Sequence, residues 1–127
     1  MGYEYRTNGE ISIEPPLTWG EISKSPYSDP DRRGLRLEID EERVDTPDGV
    51  LMRRTAELVA ASDVYRGDLA ADLTKLIQHF PGHTFDGWID CYGEEPGDIQ
   101  RVGVVNGQVV CQVARIVWPG GPGYDQQ

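Results

Sequence analysis

The residues with the most chemistry in this chain crowd into one stretch, "HFPGHTFDGWIDCYGEEPGD" at 79–98. It holds both histidines, one of the two cysteines and five carboxylates. Three chemistries are conceivable for such a set. The first is a metal site. Histidines four apart on one helix share a face and clamp zinc, but Pro81-Gly82 lies between His79 and His83 and breaks the helix. His79 and His83 then belong to different elements and lack a designated third ligand, so they are weak metal candidates and no metal or other cofactor is expected. The second is nucleophilic catalysis, which needs a base within hydrogen-bond reach of the nucleophile. Cys91 alternates inward on its strand, the histidines precede that strand, and no GxSxG elbow occurs. The third is acid–base work by Asp86, Asp90 and Glu94, which is unspecific because carboxylates are common on strand faces. "GGPG" near the end precedes no helix, so it is no phosphate loop. "DEERVDTPDG" lacks the glycine at position 6 and the terminal glutamate of a calcium loop. No catalytic residue is assigned, and an enzyme is the less favoured expectation.

The elements that must position these residues follow from periodicity. "YEYRTNGEISI" alternates as a strand, with a bulge or turn expected at Asn8-Gly9 and a stop at Pro15-Pro16. Thr18 and Glu21 form a capping box, with Leu17 and Ile22 placed as a hydrophobic staple, so a short helix begins at Trp19. "SKSPYSDPDRRG" is loop. "LRLEID" at 35–40 is a strand, "DTPDG" at 45–49 a turn, and "VLMRRTAELVAA" the return strand, with a bulge expected near Arg53-Arg54. Over 68–80, Leu69, Leu73, Leu76, Ile77 and Phe80 form one apolar helical stripe that Pro81-Gly82 ends. "HTFDGWIDCY", "IQRVGVV" and "QVVCQVARIVW" are strands, and Asn106-Gly107 is a strong hairpin signal. The order is β-α-β-β-α-β-β-β. It predicts an α+β fold: a mostly antiparallel sheet with two helices on one face, with a ferredoxin-like variant as one topology. Residues 1–118 are expected to form one domain and 119–127 a loose tail.

A two-residue turn at Asn106-Gly107 sets a register: Val105 opposite Gln108, Val104 opposite Val109, Val102 opposite Cys111. With Val102 also close to Cys91, one core face would hold Phe85, Ile89, Cys91, Val102, Val104, Val109, Cys111 and Val113. The cysteines would stand two strand spacings apart, roughly 9–10 Å, beyond the ~7 Å a disulfide allows. Both are expected as buried free thiols. The opposite face would carry Asp86, Trp88, Asp90 and Tyr92 beside Arg101. Aromatics and arginine are favoured interface anchors, which makes these five residues the candidate contact face. The plainer alternative is a solvated face with a Tyr92–Arg101 cross-strand pair.

Bulk properties narrow the partner. The 127 residues include 12 Lys+Arg and 22 Asp+Glu, a net charge of −10. That balance opposes direct nucleic-acid binding, where basic side chains must neutralise phosphates, and opposes docking on an anionic membrane. It suits a protein partner, in particular a basic one. Two acidic clusters stand out, 38–48 and 86–98, each with a net charge of −5. No apolar run approaches the roughly 18 residues of a membrane span, and "MGYEYRTNGE" does not read as a signal peptide.

"GEISIEPPLTWGEI", "PGHTFDGWIDCYGEEPGDIQRV" and "IVWP" together resemble a small uncharacterised family of actinobacteria and their phages, over nearly the whole chain. The family has no assigned activity, so the resemblance brings no catalytic residues. It implies a small accessory or phage-encoded protein in the cytoplasm of a bacterial or phage-infected host cell. The leading expectation is a non-enzymatic, host-directed protein-binding protein. The rivals are an acidic mimic of nucleic acid blocking a basic site, a small hydrolase or nucleotide-binding domain using His79, His83 and nearby carboxylates, and a virion component. The sequence sets no oligomeric state.

Overall fold

A computed structural model describes residues 4–29, 31–115, 117 and 119. Its centre is β1 (Glu4–Thr18). On one side β1 pairs with β3 (Gly49–Ala61) and, at its start, with the short β4 (Val64–Arg66). On the other it pairs with β5 (Thr84–Tyr92). The sheet extends outward to β2 (Leu35–Thr46) beyond β3, and to β6 (Ile99–Val105) and then β7 (Gln108–Val113) beyond β5. Every pairing is antiparallel, so the expected α+β fold with an antiparallel sheet is what the chain adopts. β1 and β2 run parallel with β3 between them, and β3 and β5 run parallel with β1 between them. The order β2-β3-β1-β5 with α1 and α2 as crossovers is therefore the split βαβ arrangement of the expected ferredoxin-like variant, extended by β4, β6 and β7.

Helices α1 (Trp19–Ser23) and α2 (Leu69–His79) feed one core. Asp68 caps α2 by accepting the Ala71 N–H at 3.1 Å, and the expected stripe delivers Leu69, Leu73 and Leu76 against the sheet. Beneath them lie Ile11 and Ile13 of β1, Phe85 and Ile89 of β5, and Val102 and Val104 of β6. Burying a side chain of this size fully is worth about 1.5–3 kcal/mol, so this layer fixes which sheet face is sealed. Thr18 and Glu21 close the expected capping box, and Leu17 and Ile22 are both fully buried at the staple positions.

Several expectations shift. β1 has no turn at Asn8-Gly9 and does not stop at Pro15-Pro16; it runs on to Thr18. Its pairing with β5 ends at Glu14 and its pairing with β3 breaks between Ser12 and Leu17. The prolines therefore sit where no ladder asks for an N–H. The irregularity of the β2–β3 hairpin is not at Arg53-Arg54: Glu57 is the extra residue, skipped between Ala56 and Leu58. The hairpin turn is the two residues Pro47-Asp48, and both strands run past the core as an arm with Val50, Leu51 and Met52 exposed. The last strand ends at Val113. Residues 116 and 118 of the strand expected there, and 120–127 of the expected tail, lie outside the described residues.

Candidate functional site

The Asn106-Gly107 hairpin forms with the expected register: Val105, Val104 and Val102 face Gln108, Val109 and Cys111. Asn106 and Gly107 both take positive φ, 51° and 79°, as a primed turn requires. The β5–β6 register is displaced by two residues. Val102 faces Ile89, and Cys91 faces Gln100. The loop Gly93–Asp98 is long enough to absorb that displacement, and a shift of two keeps every side chain on its face. Phe85, Ile89, Cys91, Val102 and Val104 are buried as expected. Cys111 is exposed, and so is Val113 at 69%. β7 is the sheet's edge strand; α2 reaches its hairpin end near Val109 but leaves Cys111 and Val113 exposed. The expectation of two buried thiols is thus corrected for Cys111.

The helix-free face carries the candidate contact residues, and four of the five are neighbours there by pairing. Asp90 opposes Arg101, and Trp88 opposes Gly103. Tyr92 opposes Ile99 rather than Arg101, so the expected Tyr92–Arg101 pair does not form. Asp86 lies further along β5, where Ser12 donates a hydrogen bond to its carbonyl at 3.0 Å.

Gly103 explains how Trp88 lies. A Cβ placed there would come within 2.4 Å of the indole Cε3 and 2.5 Å of the Gly87 carbonyl oxygen. The ring therefore covers the glycine directly, an aromatic filling the gap left by a missing cross-strand side chain. The Arg101 guanidinium sits 5.6 Å from the ring centroid, and its Nε is 3.4 Å from Asp90 Oδ1. Arg101 is thereby held by a cation–π contact and an ion pair at once. Tyr92, 42% exposed, stands beside them. On the β1 side, Arg6 faces Tyr92 and Glu10 faces Trp88. Sequence reading missed Gly103, although a glycine inside a strand is itself a signal of close approach.

The two histidines separate. His79, in the last turn of α2, packs edge-on against Tyr27 and Phe80. His83, 8% exposed in its side chain, spans two acceptors: Nδ1 lies 2.7 Å from the Pro15 carbonyl oxygen and Nε2 2.7 Å from Glu21 Oε2. Each ring nitrogen thus faces an oxygen, and the imidazole bridges the Pro15 carbonyl to the Glu21 carboxyl. Burial pushes the Glu21 carboxyl up, but the Thr18 N–H, the His83 hydrogen bond and the His83 charge outweigh it and hold the pKa below its ordinary value. The capping carboxylate thus ties α1 to the start of β5. Among the described residues, no group of three or more His, Cys, Asp or Glu is placed to hold a metal ion.

A cavity of about 270 Å³ opens between the start of α2 and the sheet, lined among others by Tyr5, Tyr65, Cys91, Gln100 and Cys111. Gln100 donates to the Tyr5 hydroxyl at 2.9 Å, and Tyr65 donates to Asp72. Burial, then Cys111 and Asp90, push the Cys91 thiol up to about 11. A reactive cysteine needs the opposite shift. The acidic clusters are also not bare. On the arm, Arg54 pairs with Glu41, Arg53 with Glu42 and Arg43 with Asp45.

Fold and surface define a small α+β protein with a two-sided sheet: one face sealed by helices, the other open and mixed aromatic and charged. The chain belongs to a family of unknown function, DUF6205, whose model matches residues 1–127. No curated protein and no solved structure matches it. Among the described residues, no helix is long and apolar enough to cross a membrane.

Proposed function

We propose that this protein is a binding module that docks a protein partner on the open sheet face around Trp88, Tyr92, Asp90 and Arg101. One observation carries the reading. A tryptophan is fixed flat on a glycine, with an arginine stacked on it and a carboxylate holding that arginine, on a face no helix covers. Such a patch loses little side-chain freedom on binding, because its geometry is already set by intrachain contacts. Asp86 and Asp90 beside the aromatics favour a partner presenting basic side chains. Host-directed action in a phage-infected bacterial cytoplasm is the setting this reading favours, with the −10 charge steering the encounter.

The test uses a photo-crosslinker at position 92. A partner captured in lysate of the source organism is purified and titrated against the wild-type chain, Trp88→Ala and Asp90→Asn. Support requires binding that weakens at least tenfold in both variants while their melting curves stay cooperative. Full-strength binding by both variants would place the contact elsewhere.

A further inference from the structure

The two outer strands of the sheet are built differently. β2 is charged along its length, with Arg36, Glu38, Asp40, Glu41, Glu42, Arg43 and Asp45, the usual protection of an edge against strand addition. β7 reads Gln-Val-Val-Cys-Gln-Val, with no Lys, Arg, Asp, Glu or Pro. In a chain of net charge −10 this is a strand along which two copies can approach without facing carboxylates.

The hairpin fixes which backbone groups point outward. A two-residue turn makes Val105 and Gln108 the hydrogen-bonded pair, so Gln108, Val110 and Gln112 direct their N–H and C=O groups toward β6. Ala114 continues the series, its N–H donating to the Ile99 carbonyl at 2.8 Å. The N–H and C=O groups of Val109, Cys111 and Val113 therefore line the outer edge.

The side chains name the occupant. Val113, 69% exposed, is an apolar knob at one end of β7. At the other end Val109 borders a hollow of about 380 Å³ walled by Thr74, Ile77 and Gln78 of α2 and by the hairpin tip. Knob and hollow lie on the same side of the sheet, because residues 109, 111 and 113 share parity. Antiparallel pairing of two β7 strands about a dyad at Cys111 sets Val113 of each copy opposite Val109 of the other. Each knob then meets the other copy's hollow, and all outward N–H and C=O groups of 109, 111 and 113 find partners. This is the self-complementarity an isologous contact requires.

We propose that the chain forms a two-fold dimer through edge-to-edge pairing of β7, joining two sheets into one. The joined sheet carries two open Trp88 faces on the same side. The inference stands independently of what those faces bind.

The full-length chain is measured by sedimentation velocity over ~1–500 µM. A rise to twice the monomer mass with concentration is expected. A short bis-maleimide should link Cys111 to Cys111 between copies, since paired strands bring opposite Cα atoms within about 5.5 Å. Val113→Asp keeps the thiol and alters only an exposed side chain. It should remain monomeric throughout and lose the cross-link at least tenfold, with an unchanged circular dichroism spectrum. Hydrogen exchange at the 109, 111 and 113 amides should slow as concentration rises. A wild-type monomer at every concentration overturns the proposal, as does a dimer that survives Val113→Asp. Protection of those three amides in a monomer would also overturn it, because the edge would then be covered from within the chain.

Discussion

Replacing Gly103 by alanine tests whether Trp88 is seated as the open face requires. The new Cβ would lie 2.4 Å from Trp88 Cε3, 2.5 Å from Cδ2 and 2.5 Å from the Gly87 carbonyl oxygen. Ordinary contact between such atoms needs roughly 3.5 Å, so ring and backbone must each give by up to ~1 Å. Moving the ring also opens the Arg101 stack. Overpacking costs about 1–3 kcal/mol, and an exposed cation–π contact about 0.5–1 kcal/mol. The expected loss is therefore about 2–3 kcal/mol, read as a shift of the urea midpoint at constant slope. The informative arm is the double-mutant cycle with Trp88→Ala. Without the ring only the Gly87 carbonyl contact remains, so Gly103→Ala should cost about 1–2 kcal/mol less in that background. An equal cost in both backgrounds, or a wild-type cost below ~0.5 kcal/mol, the size of an ordinary surface substitution, would refute the seating of the indole on Gly103.

Two further outcomes follow from the titratable groups. Glu21 has a folded pKa below its ordinary 4.5; its contribution is thus present above that value and lost as pH falls through the folded one. Glu21→Gln should cost about 1–2 kcal/mol at pH 7, and urea melts should show the gap closing below pH 4.5; a gap that persists unchanged at pH 3 would refute the linkage. Cys91 is buried with its thiol raised to about 11 while Cys111 is exposed. A thiol reagent at pH 8 should modify one cysteine in the native chain and both in denaturant, with mass spectrometry assigning the native adduct to Cys111; rapid native labelling of Cys91 would contradict its placement.

What the sequence made legible was local. Asn106-Gly107 demands positive φ at two successive residues, and that alone fixed the β6–β7 register. The α2 stripe and the Thr18–Glu21 box were equally readable, because each is decided within a turn or two of helix. What failed was decided across the sheet. Pro15-Pro16 reads as a strand stop until β3 and β5 are both seen to leave those residues unpaired. The partner of Cys91 depends on how the Gly93–Asp98 loop closes, which its length does not determine. The partner of His83 is 62 residues away. Inward parity placed Cys111 on the helix side, yet parity does not say how far the helices extend, and at Cys111 they fall short.

Trp88 shows why a structural role and a binding role need not compete. Its indole fills the space over Gly103, so part of its apolar area is already removed from water before any partner arrives. That lowers what burial of the ring can add on binding. It also fixes the ring, so little rotamer entropy remains to be lost, and for a large side chain that loss is typically ~0.5–1.5 kcal/mol. Arg101 is held by Asp90 and by the ring together, so a partner that withdraws Asp90 also loosens the guanidinium above the indole. Substitutions at 88, 90 and 101 should accordingly be non-additive in binding, because each removes part of what positions the other two. Tyr92 lies outside that triad, paired with Ile99 and Arg6, so its deletion should add to theirs. Binding free energies of the Trp88→Ala, Asp90→Asn and Tyr92→Ala variants, alone and in pairs, separate the two patterns. Additivity between 88 and 90 would mean that the patch is a set of neighbours rather than one preformed unit.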